Sequence, residues 1–330
     1  MYIKIDDIAR ISGYSKATVS KVINDYPDVS LKTKEKILKI IQKYDFQPNI
    51  QARNLAGKKD IIVGVFIFEE TGMYGSSYFK ELVALVTEAA EEKNIKILLS
   101  IVKNSESKMK IKSFIDNGMI QGAIVIGVKL DEPELEKMAE QGYNLVVFDY
   151  KNTINYKNVF LINSNNYEGG RLAARYLLQK GIKKVFHLEG TQDKLAGVER
   201  KDGFLDEIDG HGIIYKILPG NFQFQLGKNL LKDEIKKGNI PEGIFCANDE
   251  MALGCLEAIY EEKIEDKNIA VVGFDNTLIS SLYRPKLTTI GYNSKKMSQK
   301  AIDIIEKMIN KEELEEFIYE SEITLEKRDT

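Results

Sequence analysis

Three side chains stand where they can hold a small polar molecule. Asp149 follows the apolar run NLVVF (144–148), Asn248 follows EGIFCA (242–247), and Asp275 follows IAVVGF (269–274). Ligands of open α/β sheets bind beyond the carboxyl ends of the strands, and carboxylates and amides suit sugar hydroxyls. Each residue also has a plainer role open to it. Asp275 can cap a turn with Asn276, and Asn248 can cap a helix over 249–262, where Asp249 and Glu250 complement the helix dipole. A second set lies near the start of the chain. Lys16, Ala17 and Lys21 are spaced to share the outward face of a short helix. Lysine can donate to guanine, and alanine can meet a thymine methyl. Thr18 and Ser20 can donate to phosphates, which positions a protein on a duplex without reading its sequence.

Short helices must present that second set. Ile5, Ile8, Ala9 and Ile11 recur at helical spacing, and Gly13 suits the tight turn that follows. Ser15 is placed to cap a second helix, whose Val19, Val22 and Ile23 face inward. Pro27-Asp28 makes a loop, and Ser30 caps a third helix with Ile37, Leu38 and Ile41 on one face. The pattern is a helix-turn-helix, whose second helix enters the major groove. The plainer alternative is a solvated charged face on a small bundle.

Charge separates this head from the rest. Residues 1–60 hold twelve Lys and Arg against seven Asp and Glu, while the whole chain of 330 residues has a formal charge of −3. A basic head on an acidic body suits a polyanion at the head alone. The longest strongly apolar run, Ile61–Phe68, is far shorter than the ~20 residues a membrane helix needs. MYIKIDDIAR lacks the layout of a secretory signal, so a cytoplasmic location is expected. Cys246 and Cys255 form no disulfide framework or metal knuckle and read as small buried residues. His187 and His211 have no metal-ligand spacing, and His187 reads as structural.

The strand-end residues belong to an alternating pattern. Apolar runs at 61–68, 95–102, 122–128, 144–148, 183–188, 213–218, 242–247 and 269–274 alternate with helical stretches such as 78–92, 166–180, 249–262 and 294–310. This predicts parallel sheets covered on both faces, divided between two α/β subdomains. GxGxxG, Walker, GxSxG and HExxH patterns are absent, so no catalytic residue, metal or cofactor is expected.

The segments SKATVSKVIN (15–24), Val29-Ser30 and PNIQARNLAG (48–57), with ANDEMALG (247–254), VVGFDN (271–276) and RPKLTTI (284–290), resemble the lactose-repressor and galactose-repressor family of bacterial transcription regulators. The likeness runs over essentially the whole chain. It implies a helix-turn-helix domain at 1–47, a hinge helix and linker at 48–60, and a periplasmic-binding-protein-like body at 61–330. One lobe of that body would hold about 61–161 and 291–318, the other about 162–290 and 319–330.

The resemblance also implies site roles. The hinge helix would form only on operator DNA, paired across a dimer, and so short a helix is indeed unstable alone. Leu55 would wedge into the minor groove beside Ala52 and Arg53, bending the duplex. Asn24 and Asn49 complete the implied DNA-binding set with Ser15, Lys16, Ala17, Thr18, Ser20 and Lys21. Ligand roles fall on Arg200 (in ERKDGF), Asp149, Asn248, Asp275, Phe222, Tyr78 and Phe79. Three positions depart from the family: Lys21 replaces a common arginine, Tyr292 stands where some members place a polar ligand contact, and Asn165 replaces a common aspartate. The implied protein is a cytoplasmic homodimeric repressor on a near-palindromic operator. Its effector would be a small molecule in the interlobe cleft, a sugar or sugar derivative. A purine, or a phosphocarrier protein partner, is the alternative controller. No tetramerisation heptad is evident, so a dimer is preferred. Two rivals remain: a transport-type binding protein, which would lack the basic head, and a sugar-processing enzyme, which would need a catalytic constellation.

Overall fold

A computed structural model describes residues 5–23, 26–44, 60–68, 76–103, 105–151 and 156–330, with the side chains of 105–110 not described. The chain divides into two compact units, before and from Ile62.

The first unit contains α1 (Ile5–Ser12), α2 (Lys16–Ile23) and α3 (Leu31–Lys43). Gly13 takes φ +75° at the turn between α1 and α2. The Ser15 hydroxyl accepts from Thr18 N at 3.1 Å, and Ser30 accepts from Thr33 N at 3.3 Å, so both expected caps form. Ile8, Val19, Val22 and Ile37 make a buried core. One inward face needs correction. Leu38 is 50% exposed, and Ile40 packs on the core instead. Ile37 fixes the inward direction, and Ile40 and Ile41, three and four residues on, share its face, whereas Leu38 is turned away by one residue.

The second unit contains two six-stranded sheets. The first is built from β1 (Ile62–Phe68), β2 (Lys96–Val102), β3 (Gly122–Ile126), β4 (Leu145–Phe148), β5 (Val159–Ser164) and β11 (Ile318–Ser321), in the order β11-β5-β4-β3-β1-β2, all parallel. The second holds β6 (Lys184–Glu189), β7 (Ile214–Pro219), β8 (Gly243–Cys246), β9 (Ala270–Phe274), β10 (Thr288–Tyr292) and β12 (Ile323–Glu326), in the order β12-β10-β9-β8-β6-β7. Only its β10–β12 pair is antiparallel. Helices cover both: α4 (Ser77–Glu92), α5 (Ser105–Asp116), α6 (Pro133–Glu140) and α12 (Ser294–Ile309) with the first sheet, and α7 (Asn166–Gln179), α8 (Leu195–Ile208), α9 (Phe224–Lys236), α10 (Asp249–Glu261) and α11 (Leu278–Leu282) with the second.

β3 and β4 are buried along their whole length, as strands covered on both faces must be. β2, at the edge, is mostly half-buried or exposed, with only Val102 buried. Each sheet has its own apolar core, one around Phe66, Val125 and Leu145, the other around Phe186, Ile244 and Val271. The chain crosses between the sheets at Asn165, Asn293 and Glu322. These lie slightly beyond the expected boundaries because β5 pairs through Ser164, β10 through Tyr292 and β11 through Ser321. Asn165 and Asn293 cap the helices they open, accepting from Glu168 N at 3.2 Å and Lys296 N at 2.9 Å. Cys246 and Cys255 are free and buried. Among the described residues, no helix is long and apolar enough to cross a membrane, and no cluster of three or more His, Cys, Asp or Glu is placed to hold a metal.

Candidate functional site

A cavity of about 600 Å³ lies between the carboxyl ends of the two sheets. All seven expected ligand residues line it: Tyr78, Phe79, Asp149, Arg200, Phe222, Asn248 and Asp275.

Glycines set the position of Arg200. A Cβ on Gly170 would lie 2.2 Å from the Arg200 carbonyl oxygen, and one on Gly203 would lie 2.0 Å from that of Tyr167. Only hydrogen at both positions lets α7 and α8 pack backbone to backbone. Gly169 leaves room in the same way for the Phe274 ring, and the Arg200 guanidinium stacks on that ring at 3.6 Å. Its Nε donates to Asn166 Oδ1 at 2.8 Å, and its Nη1 donates to the Ala247 carbonyl at 2.6 Å. Nη1 also lies 3.1 Å from Asp275 Oδ1. Nη2 makes none of these bonds. Held at Nε and Nη1, the fork is rigid.

The carboxylates are held as firmly. Asp149 takes φ +48° just past β4, and its Oδ1 accepts from Ser164 N at 2.9 Å, Ser164 Oγ at 2.8 Å and Asn166 Nδ2 at 3.0 Å. Burial raises its pKa, while Arg200 and these donors oppose the rise. Asp275 sits past β9 at φ +102°, where its Oδ1 also accepts from the Tyr292 hydroxyl at 3.2 Å. Burial pushes this carboxyl well up, and Arg200 opposes that rise. Tyr292 therefore stands behind Asp275 and does not line the cavity. Asn166 joins Asp149 to Arg200, and nothing in its sequence context marked it.

Asn248 both caps and lines. Its Oδ1 accepts from Met251 N at 3.0 Å, and its Nδ2 donates to the Phe222 carbonyl at 3.1 Å and to Glu250 Oε2 at 3.3 Å. Phe222 takes φ +62°, and a Cβ on Gly190 would lie 2.0 Å from its ring. Gly190 thus leaves space for the aromatic wall. Tyr78 and Phe79 open α4 with their ring centroids 5.3 Å apart, and Ser76 caps that helix by accepting from Phe79 N at 3.2 Å. The sequence reading missed Phe68, Phe148, Phe224, Lys129 and Asp193 on the cavity wall. Extending the strand-end rule to the segments after β3, β6 and β7 would have found Lys129, Asp193 and Phe224.

In the first unit, Ser15, Lys16, Ala17 and Lys21 are exposed, with Thr18 and Ser20 half-buried. Lys16 Nζ pairs with Asp6 at 3.0 Å, and Lys21 pairs with Asp28. That contact with Lys21 lowers the Asp28 pKa. The Thr18 hydroxyl bonds that of Ser15 at 2.9 Å. Asn24, Asn49, Ala52, Arg53 and Leu55 lie outside the described residues.

A two-sheet body with polar groups at its strand ends, in a chain that opens with a helix-turn-helix, defines a ligand-binding regulator class. Residues 4–49 match the family model "Bacterial regulatory proteins, lacI family", and 72–313 match "Periplasmic binding protein domain". The chain belongs to the LacI family of bacterial regulatory proteins. It is 27% identical over 322 residues to the HTH-type transcriptional repressor PurR of Pasteurella multocida (strain Pm70), covering 96% of this chain and 95% of that one. A Lac repressor dimer bound to operator and the anti-inducer ONPF superposes with TM-score 0.86 at 24% identity, covering 99% of this chain and 98% of that one. A periplasmic binding protein/LacI transcriptional regulator from Alkaliphilus metalliredigens QYMF, complexed with D-xylulofuranose, superposes with TM-score 0.70 at 24% identity, covering 82% of this chain and 98% of that one.

Proposed function

We propose that this protein represses transcription from a near-palindromic operator as a homodimer and is controlled by a sugar or sugar derivative bound between its two lobes. The rigid Arg200 fork is the observation that supports the effector site best. A buried cation costs stability unless it is paired, and here Asn166, Ala247 and Asp275 pair it at a cavity wall. Alternating acceptors and donors suit vicinal hydroxyls, and the Phe222, Phe148 and Tyr78 rings suit the faces of a pyranose. The D-xylulofuranose complex of the Alkaliphilus regulator favours a sugar.

The head reads DNA through α2, where Lys16 and Lys21 exchange their aspartate partners for the duplex. Association as a dimer is supported by exposed apolar side chains. Leu278 and Leu282 on α11 are 64% and 65% exposed, and Leu99 on β2 is 45% exposed. A regulator of this kind works beside the chromosome, in the cytoplasm, and needs no covalent step.

Thermal unfolding against a panel of sugars, sugar phosphates and purines tests the site. A ligand at a hundred times its Kd adds about 2.7 kcal/mol of stability. A sugar that raises the melting temperature of the protein but not of Arg200→Ala supports the reading. A shift with a purine alone changes the effector class, and a shift that survives Arg200→Ala removes the cleft assignment.

A further inference from the structure

Two glutamates reach across the cleft in opposite directions. Glu81, on α4, accepts through Oε1 from Leu278 N at 2.8 Å, the first amide of α11. Glu250, on α10, accepts through Oε1 from Ser77 N, the first amide of α4. Each carboxylate therefore takes an amide at the start of a helix on the opposite lobe. The first amides of a helix have no partner within it, so either bond satisfies a donor that separation of the lobes would release to water. Glu250 also reaches the cavity, because its Oε2 accepts from Asn248 Nδ2 at 3.3 Å. Ser76 and Tyr78, the neighbours of Ser77, line that same cavity.

We propose that Glu81 and Glu250 form a reciprocal latch that holds the two lobes closed, so that either glutamate supports the bond made by the other. Both bonds span one hinged interface. Opening breaks them together, and closing needs both to form. Through Asn248 the latch adjoins the ligand wall, so a ligand that seats against that wall meets lobes already biased toward closure. This rests on reading the cleft as an effector site, but the latch itself is testable with no effector present.

Hydrogen exchange at single amides of the full-length protein, without ligand, reads it directly. In the wild type the Ser77 and Leu278 amides are protected, although they are first-turn amides. Glu81→Ala raises exchange at Leu278, and also about tenfold at Ser77, whose own acceptor Glu250 is untouched. Glu250→Ala does the converse. The factor is what loss of one charge-assisted bond implies for opening. Glu81→Gln keeps an acceptor oxygen and retains most of the protection. If an alanine variant also loosens strand amides in β1 or β9, only the rise in exchange at Ser77 and Leu278 in excess of the rise at those strand amides counts for the latch. Loss of protection confined to each variant's own amide overturns the latch, as does unprotected exchange at both amides in the wild type. Either result leaves the effector reading standing, because no ligand enters the experiment.

Discussion

At the scale of single residues, Arg200 and His187 are both buried bases, and their surroundings give them opposite roles. Arg200 has a carboxylate, a carbonyl and an amide oxygen around it, so it stays charged and rigid. Arg200→Lys cannot reproduce a stacked fork, so it should weaken ligand binding at least tenfold, as a titration with the identified effector will check. His187 is fully buried between Phe204 and Phe245, with centroids at 5.3 and 4.8 Å. Its Nδ1 is 3.1 Å from the Phe245 carbonyl, and burial lowers its pKa to about 4. The unfolded chain binds a proton near pH 6.5 that the folded chain refuses. The imidazole therefore costs nothing above pH 6.5 and destabilises the fold progressively as pH falls toward 4, by about 2 kcal/mol at pH 5. Unfolding free energies from denaturant titrations at pH 7.5 and 5 should differ less in His187→Gln by that amount, and an unchanged difference would remove the assignment. On α2, Lys21 pairs with Asp28, and on the proposed reading it gives up that partner on DNA. Asp28→Asn should strengthen DNA binding a few-fold, measured by fluorescence anisotropy at fixed salt.

At the scale of elements, close backbone packing of α7 on α8 places the site. Gly170→Ala puts a methyl group 2.2 Å from the Arg200 carbonyl oxygen, so the helices must separate and take the guanidinium with them. Overpacking of this kind costs about 1–3 kcal/mol. The melting temperature should fall, and effector affinity should fall with it, whereas Gly210→Ala, at an open turn, should spare the affinity. The strand-end rule made Asp149, Asn248 and Asp275 legible because each follows a continuous apolar run. β5 (VFLINS), β10 (TTIGY), β11 (IYES) and β12 (ITLE) were not read as strands. Polar residues interrupt β10, β11 and β12, whereas β5 opens with an unbroken VFLI that is as short as β4 and ends in Asn163 and Ser164. β11 and β12 are also short edge strands whose pairing comes from distant segments. Asn166 was illegible for a related reason. Its partners Asp149 and Arg200 are 17 and 34 residues away, and only the fold brings them together. Leu38 was misjudged because neighbouring apolar residues in a helix cannot all face the core.

At the scale of the whole molecule, a regulator needs three properties in one chain: a surface for DNA, a cavity for a signal, and coupling between them. On the proposed reading, the exposed lysines of α2 supply the first, and the cavity around Arg200 supplies the second. Coupling must be reciprocal, so a sugar that weakens operator binding must itself bind less well to the operator complex. The most direct measurement of the central claim is selection of duplex DNA from a random pool by the full-length protein, repeated with the stabilising sugar present. The account predicts enrichment of one near-palindromic sequence, affinity that falls steeply with salt, and a change of tenfold or more when the sugar is added. Failure to enrich any sequence, or an enriched site whose affinity ignores a sugar bound at Arg200, would contradict it.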